Sequence, residues 1–551
     1  MNLDSRGGKC DRGVYLSLLL GTLVFLAVTG GTILWPTNID WLMVGDDGGA
    51  SYLGWEFFRQ APLLQLPLGA NPRYGMEISS SIVFTDAPLM PLLLKPFSPV
   101  LPAVFQYHGI WLLCCFLLQS FFAYKLMTLF ADGAVLRLAG TLFFLIAPVF
   151  LFRISLSHYV FGGQWLLLAA LYLYASTEFR RSAWIGLLVV AALINAYLLL
   201  MTGGFYVADC IRRLWCREID FRRAALHSLA SGALTLCVMW LAGYFMASKY
   251  TADQGYGFYR MNLLAIVNPV GSWSRVLPQL PGGAGDFEGF SYLGLGGLGL
   301  LCCVPFCLGH AARQRIRLHF VLPLLLMVVC TAVFAVSNKV AFGSHELLSW
   351  DIPPRLWPLV STFRSSGRFF WPTYYLVLCA CLYLVISRLR WSTATAVVLF
   401  MLGIQMADIS GGVLDIRSRL NNPPPWVSPM QSALWDRIAG RYGSITVVLP
   451  SKHYGDYLPL AHFAVTHGMS TNGVYLGRVH QRKLRESCDR IASEVRAGAF
   501  QRDSLYVFGD PEQWDIARKT ARPCDLVQNV DGFRLLAPGL AVPMRGTAAG
   551  P

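Results

Sequence analysis

Long apolar runs broken by short polar loops repeat along the chain from residue 14 to residue 410. They lie near 14–34, 103–130, 133–151, 159–176, 183–198, 200–215, 224–246, 291–309, 318–336, 370–387 and 392–410. A helix needs roughly 20 apolar residues to cross a bilayer, so the pattern predicts a polytopic α-helical membrane protein of about eleven transmembrane helices. The fifth and sixth runs meet at Thr202-Gly203-Gly204, which reads either as a turn between two spans or as an interruption in one bent helix. The first run follows Arg6, Lys9 and Arg12 and ends in Thr32-Ile33-Leu34-Trp35-Pro36 without a small-residue cleavage site. It reads as a retained helix whose leading segment is cytoplasmic.

The pattern changes after residue 410. Asn422-Pro423-Pro424-Pro425 forms a stiff link, and a soluble-domain pattern follows it. Segments 444–449 (SITVVL) and 504–508 (SLYVF) predict buried strands, 483–497 an amphipathic helix between them, and 531–536 a late strand. The expected organisation is therefore a transmembrane module, 1–410, and a small C-terminal α/β domain, 411–551. Counting spans in order sends that domain and three polar loops, 35–102, 249–290 and 338–369, to the face opposite the N-terminus. Within the first loop, 50–60 (ASYLGWEFFRQ) predicts a helix lying in the membrane interface with Trp55, Phe57 and Phe58 toward lipid.

Composition agrees with this picture: 55% of the 551 residues are hydrophobic, 14% are charged, and mean hydropathy is +0.49. The formal charge of +14 comes largely from short loops holding Arg180 and Arg181; Arg212, Arg213, Arg217, Arg222 and Arg223; Arg313, Arg315 and Arg317; and Arg388 and Arg390. All fall on the side of the N-terminus, so membrane orientation explains the excess and no nucleic-acid partner is implied. Twelve of the 14 cysteines lie in or beside apolar runs without metal-ligand spacing. Cys488 and Cys524 lie in the C-terminal region, where a disulfide is compatible with an oxidising compartment.

Candidate chemistry gathers in the outside loops. Asp46 and Asp47, in Gly45-Asp46-Asp47-Gly48-Gly49, read as a general base for an acceptor hydroxyl or as caps of the helix that follows. Asp86, in Ser81-Ile82-Val83-Phe84-Thr85-Asp86, is a second acid or a helix cap, and Glu288 is a third carboxylate at the start of a span. Arg364 and Arg368, among small residues in Arg364-Ser365-Ser366-Gly367-Arg368, suit a phosphate at head-group depth or ordinary membrane lipid. Arg153, His158, Tyr259 and Arg260 read as phosphate or sugar contacts, or as snorkelling and structural residues. HExxH, Walker and GxSxG sequences are absent, so zinc proteolysis, ATP hydrolysis and serine hydrolysis lose their usual support.

These residues carry a resemblance. The many spans, the acidic first loop, Gly54-Trp55-Glu56-Phe57-Phe58-Arg59, Glu288-Gly289-Phe290-Ser291-Tyr292-Leu293-Gly294 and the Arg364–Arg368 segment together resemble the GT-C superfamily of membrane glycosyltransferases, in an uncharacterised bacterial branch. The resemblance implies inverting transfer of a sugar from a polyprenyl-phosphate donor to a glycan, lipid or protein acceptor at the periplasmic face of the bacterial inner membrane. It implies Asp46 as base and Arg364 and Arg368 around the lipid phosphate. Some relatives bind a divalent metal, and that point stays open because Asp46-Asp47 lacks spaced ligands. The rival expectation, a transporter or flippase of lipid-linked glycans, calls for acids and bases lining the spans.

Overall fold

The computed structural model describes residues 12–78, 80–246, 255–309, 318–450, 457–476 and 479–540. Arg6, Lys9, Arg313, Arg315 and Arg317 lie outside the described residues. The chain divides into two compact units, 1–41 with 106–238 and 253–423, and 42–105 with 239–252 and 424–551. This division differs from one drawn at residue 410, because the first loop groups with the C-terminal residues.

Every predicted apolar run contains helix. Among the described residues seven helices are long and apolar enough to cross a membrane: Arg12–Thr29, His108–Met127, Ala134–Ser155, Phe221–Ala242, Leu318–Val336, Ser366–Arg388 and Trp391–Asp408. Tyr159–Ala175, Arg181–Ile194 and Gly294–Leu308 are apolar but shorter, and Ala196–Trp215 carries Asp209, Arg212 and Arg213. Seven of the eleven expected spans thus meet the length and composition of a membrane span among the described residues.

The first helix shows how packing is arranged. Ser17, Gly21, Phe25 and Val28 form its buried stripe at spacings of three and four, while Leu19 and Leu23 stay more than half exposed. Apolar side chains directed outward are what a helix facing lipid requires. Gly21 permits close approach to His108–Met127, since a Cβ there would stand 3.0 Å from the Phe116 carbonyl oxygen. Ser120 Oγ donates to Ser17 O at 2.6 Å across the same seam.

Breaks in the helices are satisfied by side chains rather than left open. Pro148 lacks the N–H that would bond Phe144 O, and Gln119 Nε2 donates to that carbonyl at 3.2 Å. The same amide donates to Tyr375 Oη, which donates at 2.7 Å to Gln164 Oε1, and all three residues are buried. The break between the fifth and sixth runs falls at Asn195, not at the glycines. Asn195 is extended, its side chain accepts from Tyr197 N at 2.9 Å, and Thr202-Gly203-Gly204 sits inside Ala196–Trp215.

Two further polar devices lie at helix ends. Asp408 accepts from Tyr292 Oη at 2.7 Å and from Leu295 N at 3.0 Å, while Gln405 Oε1 accepts from Gly297 N at 3.1 Å. One helix thus satisfies the opening amides of another, Gly294–Gly309. Arg212 and Arg213 are not free loop charges. Both pair with buried Asp209, at 2.8 and 3.2 Å, and both donate to the Ser176 carbonyl beyond the end of Trp165–Ala175. An antiparallel hairpin, β1 (Lys339–Phe342) with β2 (His345–Ser349), completes the described loops of this unit.

The second unit is built on a five-stranded sheet of β3 (Ser444–Val448), β4 (Ser470–Thr471), β5 (Ser504–Phe508), β6 (Leu526–Val530) and β7 (Phe533–Ala537), in the order β4-β3-β5-β7-β6. The first three are parallel and the last two antiparallel. Helix Gln481–Ala497 lays Ile491 and Val495 against Tyr506, Phe508 and Leu536, and stops at Gly498, which takes φ 62°. The late strand begins at Phe533 rather than residue 531, because Asp531 and Gly532, at φ 51° and 86°, make the tight turn of a hairpin. Cys488 and Cys524 are free thiols, so the considered bridge is not formed.

The first loop enters this unit through the edge of β4. Tyr74 bridges Thr471 in parallel, Gly75 N donates to Thr471 O at 2.9 Å, and Thr471 N donates to Arg73 O at 3.0 Å. Helix Asp46–Gln60 packs on Tyr457–Thr466, with Gln60 Nε2 donating to Val465 O at 3.2 Å. Trp55, Phe57 and Phe58 are fully buried, which overturns their expected lipid-facing role. Trp55 Nε1 donates to Phe105 O at 3.0 Å, and Phe57 packs on Tyr74 at 5.0 Å between centroids.

Candidate functional site

Among the candidate residues, the structure draws Arg153, Glu288 and Arg368 into one buried knot. Arg153 closes the Pro148–Ser155 helix, Glu288 lies in the short turn Asp286–Gly289, and Arg368 lies in the turn Ser366–Phe370 that opens the Trp371–Arg388 helix. Arg368 grips the carboxylate as a fork, with Nε to Oε2 at 2.8 Å and Nη2 to Oε1 at 2.5 Å. Arg153 donates from Nη1 to Oε2 and from Nη2 to the Glu288 carbonyl, both at 2.6 Å. Exposure is 0% for Arg153, 4% for Glu288 and 7% for Arg368, so Arg153 does not snorkel.

The turns meet because two glycines let them. A Cβ on Gly367 would stand 2.6 Å from Gly289 Cα, and one on Gly289 would stand 2.5 Å from Met261 Cα. Gly367 N donates to Tyr259 O at 3.0 Å, and Ser365 N donates to Tyr197 Oη at 3.1 Å. Aromatic faces line the cations. Arg368 Cζ lies 4.2 Å from the Phe161 ring centre and 5.1 Å from Tyr197, and Arg153 Cζ lies 5.2 Å from Trp371.

Burial by itself pushes the Glu288 carboxyl upward, but the charges of Arg368 and Arg153 outweigh it and hold the group well below the usual carboxylate range. Glu288 is therefore a carboxylate and not a proton donor. Within the knot two guanidinium groups meet one carboxylate. His158 Nδ1 stands 3.5 Å from Arg153 Nη1. Arg364 is half-buried, with its Cζ 5.9 Å from the Tyr259 ring centre.

Arg260 belongs to another cluster. It donates to Glu346 Oε1 at 2.6 Å and to Lys339 O at 3.0 Å, and lies 3.4 Å from Asp286 Oδ1. Asn262 holds the same loops, donating to Asp286 Oδ2 and to Gly343 O, each at 2.8 Å. Beside the knot, Phe152 stacks on Phe290 at 4.1 Å, and Trp273 touches both rings. Phe152 and Trp273 also line a cleft of about 380 Å³ with Ser272, Asp415 and Arg419.

Asp46, Asp47 and Asp86 belong to the second unit. Gly45 occupies the cap position of Asp46–Gln60, which makes the two acids its first helical residues rather than caps. Asp47, in the first turn, complements the helix dipole. Asp86 is buried, and its Oδ1 accepts from Ala87 N at 2.7 Å. It does not cap the Leu89–Leu94 helix, whose cap position is Pro88. Within Asp46–Gln60, Glu56 pairs with Arg59 at 3.2 Å, yet burial outweighs the arginine and pushes the carboxyl up to about 7.

Among the described residues no three His, Cys, Asp or Glu side chains gather where they would hold a metal ion. The sequence reading singled out the three members of the knot separately but not their union. It missed Asp408, Gln405, Gln119 and Asp209 entirely. A lone polar residue within an apolar helix was the available signal for each of these.

A comparison with curated proteins finds no match. Family profiles do match, a domain of unknown function, DUF6311, over residues 18–410 and the DUF6311 C-terminal domain over 434–538. With most of its length covered by these two profiles, the chain belongs to the DUF6311 family.

Proposed function

We propose that the protein is a membrane glycosyltransferase of GT-C type that moves a sugar from a polyprenyl-phosphate donor to a glycan, lipid or protein acceptor. The observation that supports this most is the Arg153–Glu288–Arg368 knot, which buries a pair of guanidinium groups at the ends of apolar helices. A polyprenyl phosphate released by sugar transfer needs such charge to stabilise it. Glu288 orients both arginines, and Arg364, His158 and Tyr259 are further candidate contacts for phosphate or sugar.

In the proposed reaction Asp46 takes the proton of the acceptor hydroxyl as its oxygen bonds to the anomeric carbon. The bond from that carbon to the phosphate oxygen breaks, its electron pair leaves with the lipid phosphate, and configuration inverts. Asp47 and Asp86 are the supporting acids. On this reading the helices make about eleven spans in a bacterial inner membrane, with the N-terminus cytoplasmic and the C-terminal residues periplasmic.

An Asp46→Asn variant should reach the membrane in wild-type amounts yet lose transfer of labelled sugar from the lipid donor by at least about 100-fold, the usual scale for a general base. Full transfer by this variant removes Asp46 from the mechanism. If wild-type protein moves lipid-linked glycan across vesicles but transfers no sugar, the transferase gives way to a transporter.

A further inference from the structure

A trough of about 420 Å³ runs between three helices, His108–Met127, Tyr159–Ala175 and Arg181–Ile194. Lys125 lies in the last turn of the first helix, whereas Arg153 ends Ala134–Ser155, which returns from the short 128–133 connection. The trough's basic end and the arginine knot are therefore at opposite ends of the helical layer. The trough stands independently of the proposed transferase.

Its walls are aromatic. Phe122 lies flat on Trp165, with centroids 5.7 Å apart and planes 7° apart. Trp165 is 6% exposed, and its Nε1 has no acceptor among the described residues. Lys125 and Arg180 stand over ring walls of the trough itself, 5.7 Å from the Phe121 centre and 5.9 Å from the Tyr172 centre. Neither forms an ion pair among the described residues, and no acidic residue lines the trough. At Gly186 the trough is open, since an added Cβ would meet nothing within 4 Å.

Two cations beside an apolar slot call for one molecule with an anionic head and a hydrocarbon tail. Length narrows the choice. From Arg180 to Val190 the helix rises about 15 Å at 1.5 Å per residue. That is half of a hydrocarbon core about 30 Å thick, the depth of one leaflet. We propose that the trough binds an anionic glycerophospholipid, its phosphate between Lys125 and Arg180 and an acyl chain against Phe122, Trp165 and Gly186.

The test is native mass spectrometry of the full-length protein with added phosphatidylglycerol or phosphatidylcholine of matched chains. Wild-type protein should prefer phosphatidylglycerol roughly thirtyfold, as expected for two cations near a head group. Lys125→Gln with Arg180→Gln should abolish the preference while phosphatidylcholine binding persists. Gly186→Phe, which fills open space, should weaken both lipids. All variants should elute as wild type in size exclusion. No preference in the wild type, a preference that survives the double substitution, or undiminished binding to Gly186→Phe each overturns the proposal. Displacement of phosphatidylglycerol by an equimolar polyprenyl phosphate would also overturn it, by assigning the trough to the longer carrier.

Discussion

Glu288 is the residue on which two buried guanidinium groups depend. Removing one partner of a buried pair leaves uncompensated charge, at a cost of about 3–5 kcal/mol. Glu288→Gln should therefore lower the melting temperature in detergent sharply. Combining it with Arg153→Met should cost less than the sum of the single changes, because the second substitution removes one of the stranded charges. A Glu288→Gln protein that melts with the wild type would show that the knot does not hold the turns. Little of this was legible beforehand. Arg153, Glu288 and Arg368 stood out as charges at the margins of apolar runs, but Arg153 is 135 positions from Glu288, and only folded helices bring such residues within 2.6 Å.

At the scale of elements, every apolar run proved helical, yet apolar periodicity placed helix ends poorly where a polar side chain from elsewhere in the fold supplies the missing partner. Pro148 and Asn195 break helices as local chemistry dictates. At Pro148 the missing partner is supplied by Gln119, itself bonded to Tyr375, and both come from distant segments. Glycine shows the same contrast. Gly367→Ala sets a Cβ against Gly289 Cα and the Arg260 carbonyl, at 2.6 and 2.9 Å, where only backbone movement relieves the clash. It should destabilise by about 1–3 kcal/mol. Gly403→Ala, inside Trp391–Asp408 with nothing within 4 Å, should instead stabilise by up to about 1 kcal/mol. Thermal melts of the two variants give opposite signs if packing, and not glycine content, sets the outcome.

For the molecule as a whole, the second unit joins chain segments that the sequence separates by more than 300 positions. The reason is the β4 edge. A short strand with unpaired amides and carbonyls invites association, and 73–75 cover it with backbone hydrogen bonds. Residues 424–551 expressed alone should self-associate in size-exclusion chromatography, and joining 42–105 to them should restore a monomer; a monomeric 424–551 would show that the edge needs no cover. Taken alone, the order of residues was enough for the helical membrane character, three of the five strands of the C-terminal sheet and its main amphipathic helix. Those properties follow from local periodicity and from water's rejection of apolar surface, and both act along the chain. Which charges neutralise one another, which aromatic residues turn inward and which segment covers the sheet edge came from the fold. Ion pairing, packing and strand pairing depend on distances in space, and apolar periodicity carries no record of those.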